Sequence, residues 1–372
     1  MVANGCHHVP VPRSRLGPDV ARTASSHGRT EIEIARRQVT LREVAAASGV
    51  AVSTASRALT RPGRVSHETA QRVLTAAEDL GYVPSATGRA LRSGRTGTVA
   101  LVVPDTGNPY FYGIVRGTQV RLRAAGYAHV LVDTEESADA EETELARLRG
   151  ITDGVVLAAS RLPDERLMAW SEEIALVAIN RAVPEPSVVV DTPGGAVSAL
   201  AHLVELGHLR VAYAAGPATS WSDARRRAAL RLAARHMGVE VVELGPFLPR
   251  ISAGAAAARA VLEADVTGVL AFNDLLAFGM LSHLAGAGVA VPAQLSVIGC
   301  DDIFGADLVH PRLTTVSAPL DLAGYHAADL LLAELDAGEA RTGVALPTTL
   351  VVRESTAAPG AGRSTTADGH PS

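Results

Sequence analysis

A small all-α module followed by a larger α/β region built on parallel sheets is the fold class this sequence predicts. Three short helix-patterned segments, each with its own cap or stop signal, fill residues 39 to 84. From Val99 onward the rhythm changes to short apolar runs of strand length alternating with helical stretches. Charge changes with it: residues 39 to 95 hold eight arginines against Glu43, Glu68, Glu78 and Asp79, residues 1 to 38 give +3, and the remaining 277 residues give −12.

The ends read as disordered. Residues 1 to 38 mix His, Pro, Ser, Gly and Arg without periodicity, and residues 357 to 372 are rich in Pro, Gly, Ser and Thr. Between them, Thr40 and Glu43 are spaced as a capping box ahead of LREVAAA, and Gly49 breaks the pattern before AVSTASRAL. Ser66 is placed to cap a third helix, HETAQRVLTAAEDL, which stops at Gly81. Leu41, Val44, Ala45, Val50, Ala55, Ala58, Val73, Leu74 and Ala77 form the expected core of this module.

The strand-length runs are VALVV, HVLVD, GVVLAAS, IALVAIN, SVVVD, RVAYAAG, VEVVEL, GVLAFND, SVIGCDD and LTTVSA. Near-continuous apolar strands separated by helices indicate parallel sheets covered on both faces. Ten strands exceed one comfortable sheet, so two subdomains with a cleft between them are expected. In such sheets ligands bind beyond the carboxyl ends of the strands. Most of these runs end in polar residues there, among them Asp105, Asp133, Ser160, Asn180, Asp191, Asn273, Asp274, Asp301 and Asp302.

Hydrophobic residues make up 47% of the 372 and charged residues 20%, the balance of a soluble chain with a buried core. No window approaches 18 uninterrupted apolar residues and the N-terminus lacks a secretory pattern, so a cytoplasmic protein with no membrane partner is expected. Cys6 and Cys300, in unrelated contexts, offer neither a disulfide framework nor a zinc cluster, and no cofactor is implied.

A helix, a tight turn containing Gly and a second helix make the helix-turn-helix plan, whose second helix enters the DNA major groove. TLREVAAASGVAVSTASRAL, Thr40 to Leu59, fits it, with Ala45 and Gly49 giving room for the helices to cross closely. Val52 and Ser53 face base edges in this arrangement, Arg57 one turn later suits a bidentate contact with guanine, and Thr54 and Ser56 suit phosphate oxygens, with Thr40 counted among the DNA contacts. A small basic module attached to a large acidic region agrees with only the former approaching phosphate.

The same stretch resembles the opening signature of the LacI/GalR family of bacterial transcriptional regulators, and RVSHETAQRVLTAAEDLGYVPSATGRALRSGRTGTVALVVPD continues it. NPYF, AINR, HLVELGHLRVAYAAGP, AFNDLLAFG, VIGCDDI and PRLTTVSAPL follow in family order and spacing, so the likeness covers residues 39 to 356. It implies a helix-turn-helix DNA-binding domain at 39–84, a hinge helix and linker at 85–96, and a two-lobed periplasmic-binding-protein-like effector and dimerisation domain at 97–356. It also implies that the hinge folds on DNA, with Leu91 wedged into the minor groove and Arg89 among the DNA contacts. Effector contacts fall on Tyr110, Phe111, Arg181, Arg226, Phe247, Asn273, Asp274 and Asp301, with Asn273 and Asp274 equally suited to capping a helix and Tyr110 and Phe111 to a core.

On this resemblance the chain is a repressor that binds a pseudo-palindromic operator as a homodimer, with a tetramer as the extension. Its effector is a small molecule, a sugar or sugar derivative first and a nucleoside or purine second. The sequence departs from the family at Ala51, where serine is usual, and in the hinge at Ser85 and Gly88, where asparagine and alanine are usual. Two other classes fit the sequence less well. A solute-binding protein of transport needs export and has no use for residues 39 to 95. An enzyme lacks a catalytic constellation: Asp301 and Asp302 alternate across a strand, and GAGVAV follows a helix and lacks a third glycine.

Overall fold

The computed structural model describes residues 39–60, 62–82, 94–337 and 342–360, and the chain divides into two compact units after Ser85. The hinge residues Ser85, Gly88, Arg89 and Leu91 lie outside the described residues.

The first unit packs α1 (Leu41–Ala47), α2 (Val52–Thr60) and α3 (His67–Asp79). Its capping box forms: the Thr40 hydroxyl accepts from the Glu43 N–H, and the Glu43 carboxylate accepts from the Thr40 N–H at 2.7 Å. Ser66 accepts from the Thr69 N–H at the start of α3. Val44, Ala45, Ala55, Ala58, Val73 and Ala77 are the buried core, with Leu41 and Val50 packed against it. Leu74, expected there, is 39% exposed; it lies one residue on from Val73 and so about 100° round the helix, facing outward.

The second unit carries two six-stranded sheets. The first lobe's sheet holds β1 (Thr98–Val103), β2 (Ala128–Asp133), β3 (Gly154–Ala158), β4 (Leu176–Ile179), β5 (Ser187–Val190) and β11 (Val344–Leu346), in the order β11-β5-β4-β3-β1-β2, all parallel. The second lobe's holds β6 (Arg210–Ala214), β7 (Glu240–Leu244), β8 (Gly268–Ala271), β9 (Ser296–Asp301), β10 (Thr314–Ser317) and β12 (Thr349–Val351), in the order β12-β10-β9-β8-β6-β7. Only β12 runs antiparallel to its neighbour. All ten apolar runs form strands, and β11 and β12 are additional edge strands of three residues each. The order of connection reverses at β1/β3 and at β6/β8, the topological switch points where a ligand crevice opens.

Four helices begin beside those strand ends: α4 (Tyr110–Ala124), α7 (Thr192–Glu205), α8 (Trp221–Met237) and α10 (Asp274–Gly286). Two more, α5 (Ala138–Leu148) and α6 (Asp164–Glu173), cover the first sheet, and α9 (Gly254–Glu263) packs beside α10 in the second lobe. The last, α11 (Leu320–Ala337), leaves β10 in the second lobe and returns to lie along α4 and beneath the first sheet. The chain thus passes between lobes three times, after β5, after β10 and between β11 and β12. The contact of α4 with α11 is made by backbone: a Cβ on Gly117 would sit 1.9 Å from the Asp321 carbonyl oxygen, and one on Gly324 would sit 2.1 Å from that of Ile114.

The ordered chain runs past residue 356, where a disordered tail was expected to begin. The Ala357 N–H donates to the Ser296 hydroxyl at 3.1 Å, and its carbonyl oxygen lies 3.0 Å from His208 Nε2. No helix among the described residues is long and apolar enough to cross a membrane.

Candidate functional site

In the first unit, Gly49 takes a left-handed φ of 65° and turns the chain between α1 and α2. Helix α2 buries Ala55 and Ala58 against the core and exposes Val52, Ser53 and Arg57, with Thr54 and Ser56 half-buried. Residues 52, 53, 56 and 57 share one helical face, so the side chains proposed to read bases stand together. At its start the Ala51 carbonyl accepts from the Thr54 and Ala55 N–H groups, and the alanine supplies no side-chain acceptor. Thr40 is exposed, with its hydroxyl held in the α1 cap.

In the second unit the strand ends of both lobes line a cavity of about 470 Å³, its mouth included. The backbone there is strained: among the described residues, non-glycine positive φ angles occur at Glu135 and Glu136 after β2, Ala159 after β3, Asn180 after β4, and Asp301 and Asp302 at the end of β9, with Asp265 the exception elsewhere. Such conformations cost of order 1–3 kcal/mol each and gather at ligand sites. They turn strand-end side chains sideways, toward the crevice or toward one another.

Five predicted effector residues meet on the cavity wall: Tyr110, Phe111, Arg226, Asn273 and Asp301. Tyr110 and Phe111 touch edge to face at 5.1 Å, and the Tyr110 hydroxyl accepts from Asn180 Nδ2 at 2.7 Å. Burial pushes the Tyr110 phenol up, keeping it neutral. Arg226 lies over the Phe272 ring at 4.5 Å and donates to the Phe272 carbonyl oxygen at 2.6 Å. Asn273 caps α10 by accepting from the Leu276 N–H at 3.0 Å while also facing the cavity, so both of its expected roles coexist. Burial first, and the Asp274 carboxylate second, push the Asp301 carboxyl well above its ordinary range, with Arg226 pulling the other way.

Three predicted residues are placed elsewhere. Arg181 donates to the carbonyl oxygens of Ser160 and Leu162 and pairs with Asp164, so its guanidinium braces the loop after β3 instead of lining the cavity. Phe247 packs against the second lobe's core. Asp274 points under the sheet: its carboxylate accepts from the Thr315 hydroxyl at 2.6 Å and the Ile303 N–H at 3.0 Å, in space that exists because residue 299 is glycine. The cavity wall also holds residues not singled out from sequence, notably Glu136, Arg161, Thr192, Ser220 and Ser222. Arg161 donates to Glu136 through Nε at 2.7 Å and Nη2 at 2.6 Å, and to the Ala159 carbonyl oxygen at 2.7 Å. Both members of this pair lie just past strand ends, which is the only signal that marks them in the sequence.

Asp274 supports a pH prediction. Burial pushes its carboxyl up to about 7, against the opposing pull of its two hydrogen bonds. A carboxyl raised in the folded state contributes stability that is full below the unfolded value near 4 and is lost as pH climbs through about 7. Asp274→Asn keeps an acceptor for Ile303 and cannot ionise. Relative to wild type, the variant should gain stability with rising pH between 5 and 7 by up to about 1.4 kcal/mol per pH unit. Urea melts at several pH values measure this; parallel curves for the two proteins would show that Asp274 is ionised throughout.

Comparison with known proteins agrees with both units. A family model for bacterial regulatory proteins of the lacI family matches residues 40–85, and one for a periplasmic binding protein-like domain matches residues 200–356. The transcriptional repressor CytR of Escherichia coli K12 is 32% identical over 332 residues, which cover 86% of this chain and 96% of CytR. The transcriptional regulator CelR of Thermobifida fusca is 34% identical over 340 residues, covering 86% and 99%. Among solved structures, a CelR–cellobiose complex aligns with 86% of this chain and 100% of its own at 33% identity and a TM-score of 0.63. A Lac repressor dimer bound to operator and the anti-inducer ONPF shares the fold, with a TM-score of 0.79 at 24% identity, covering 87% of this chain and 100% of its own. With a helix-turn-helix ahead of a two-lobed, periplasmic-binding-protein-like domain, this chain belongs to the LacI family of bacterial transcriptional regulators.

Proposed function

We propose that the protein is a repressor that binds a pseudo-palindromic operator as a homodimer and is controlled by a small molecule held between the two lobes of its sensor domain. The carrying observation is the gathering of Tyr110, Phe111, Arg226, Asn273 and Asp301, from different elements of both lobes, on one cavity ringed by strained strand ends. The effector is a sugar or sugar derivative first and a nucleoside or purine second; of these, the sugar is the class that relatives support, since a CelR structure holds cellobiose and a LacI-family regulator from Enterococcus faecium holds ribose. DNA contacts are assigned to Thr40, Val52, Ser53, Thr54, Ser56 and Arg57.

Separation of the two functions tests the reading. Arg57→Ala should cost about 1–3 kcal/mol of specific operator binding, with ligand affinity kept. Asp301→Ala should weaken the ligand by about 1–3 kcal/mol and blunt the response of operator binding to it. Anisotropy titrations of labelled operator, with and without ligand, measure both. A folded Asp301→Ala protein that lost DNA binding but kept ligand affinity would remove the cavity from the mechanism. Light scattering should show at least a dimer, because one helix-turn-helix reads only one half-site; a monomer that still bound a palindromic site tightly would refute that part.

A further inference from the structure

We propose that the ligand of this cavity is a hydroxylated anion, a sugar acid or a sugar phosphate, whose charged group pairs with Arg226. The inference rests on the effector reading above and narrows it.

Three independent features suit the cavity to an anion. Arg226 is 5% exposed, its Nε has no hydrogen-bond partner, and among the described residues no carboxylate lies within 4.0 Å of its nitrogens. The other cation on the wall, Arg161, is matched by Glu136, so Arg226 is the one left without a counter-charge at contact distance. A buried, unpaired cation is costly, and a ligand anion placed beside it relieves that cost.

Second, four helices of 13 residues or more, α4, α7, α8 and α10, present N-terminal residues to the same cavity: Tyr110, Thr192, Ser220 with Ser222, and Asn273. Each helix start carries partial positive charge and backbone donors. Third, Thr192, 5% exposed and on the wall, has a hydroxyl with no partner. It is an unused donor at a helix start, suited to an anion or to a hydroxyl next to it. Asp301, the remaining acid on the wall, favours its neutral form in this burial and can donate a hydrogen bond to an anion.

The test is a calorimetric titration of the full chain with D-glucuronate, D-gluconate, D-glucose 6-phosphate, D-glucose, cytidine and inorganic phosphate alone. At least one hydroxylated anion should bind about 10- to 100-fold more tightly than D-glucose, the range for one charge-assisted pair. Glucuronate against glucose 6-phosphate separates carboxylate from phosphate. Arg226→Lys should weaken that anion about tenfold or more, whereas Asp301→Asn, which keeps a hydrogen-bond donor in place of the neutral carboxyl, should leave its affinity within about twofold. Glucose or cytidine binding as tightly as every anion, anion binding more than about twofold weaker in Asp301→Asn, or no sugar anion binding below 1 mM would each overturn the inference. If a neutral ligand then released operator, the effector reading would stand without the anion. If no ligand of any class altered operator binding, both would fall.

Discussion

Gly117→Val should be among the most destabilising single substitutions in the sensor domain, at about 3 kcal/mol or more, the upper end of what overpacking costs. Its Cβ would lie 1.9 Å from the Asp321 carbonyl oxygen and 2.8 Å from the Tyr325 N–H nitrogen, both backbone atoms of α11. A side chain can rotate away from an intruder; a helix backbone must translate. Translation is blocked by the reciprocal contact of Gly324 with Ile114 and by the Arg121–Asp329 ion pair at 2.8 Å. Removing glycine from a helix interior gains only about 0.5–1 kcal/mol, too little to offset the clash. Urea melts monitored by circular dichroism measure the loss, and a wild-type midpoint would mean that the helices sit farther apart in solution.

Asp223→Ala should be nearly as severe and should also disable the cavity. The carboxylate is fully buried and accepts from the Tyr213 hydroxyl and the Gly216 N–H, both at 2.8 Å, while its second oxygen lies 2.8 Å from Arg227 Nε. Alanine leaves two donors, the Tyr213 hydroxyl and the Gly216 N–H, without their acceptor in a closed space, each worth about 1–3 kcal/mol, and removes the charge that faces Arg227. Those donors fix the turn from β6 into α8, which places Ser220, Ser222 and Arg226 on the cavity wall. A combined loss of at least about 3 kcal/mol of stability and of measurable ligand binding is expected. Asp223→Asn, which keeps one acceptor, should retain part of both. A stable Asp223→Ala protein with intact ligand binding would show that the turn is held by other contacts.

Much of this architecture is legible in the sequence because local chemistry dictates it. Thr40 with Glu43 and Ser66 before α3 announce helix starts through their own side chains, and runs such as VALVV can be buried on both faces only as interior parallel strands. What escapes is set by distant partners. β11 and β12 are three residues long and exist because β5 and β10, more than 30 residues earlier in sequence, offer open edges. Asp274 and Asp301 look alike as acids at strand ends, yet Gly299 and Thr315 draw the first beneath the sheet while a φ of 124° turns the second to the cavity wall. Arg181 is expected at the cavity together with Arg226, but Asp164 and two carbonyls hold it, and Arg161 stands on the wall beside Arg226 instead. Pattern places a residue at the site's latitude; only the fold decides which way it faces.

The triple passage between lobes has a consequence for synthesis of the chain. The first lobe begins at Thr98 but cannot close its sheet until Val344–Leu346 has left the ribosome, and α11, which covers one face of that sheet, is made only after the whole second lobe up to β10. A nascent chain halted anywhere in this span holds a first lobe with its apolar face open to chaperones and proteases. The helix-turn-helix, complete by residue 82, has no such wait. Premature termination in the gene is therefore expected to leave no half-sensor behind, only a short reading head without its control.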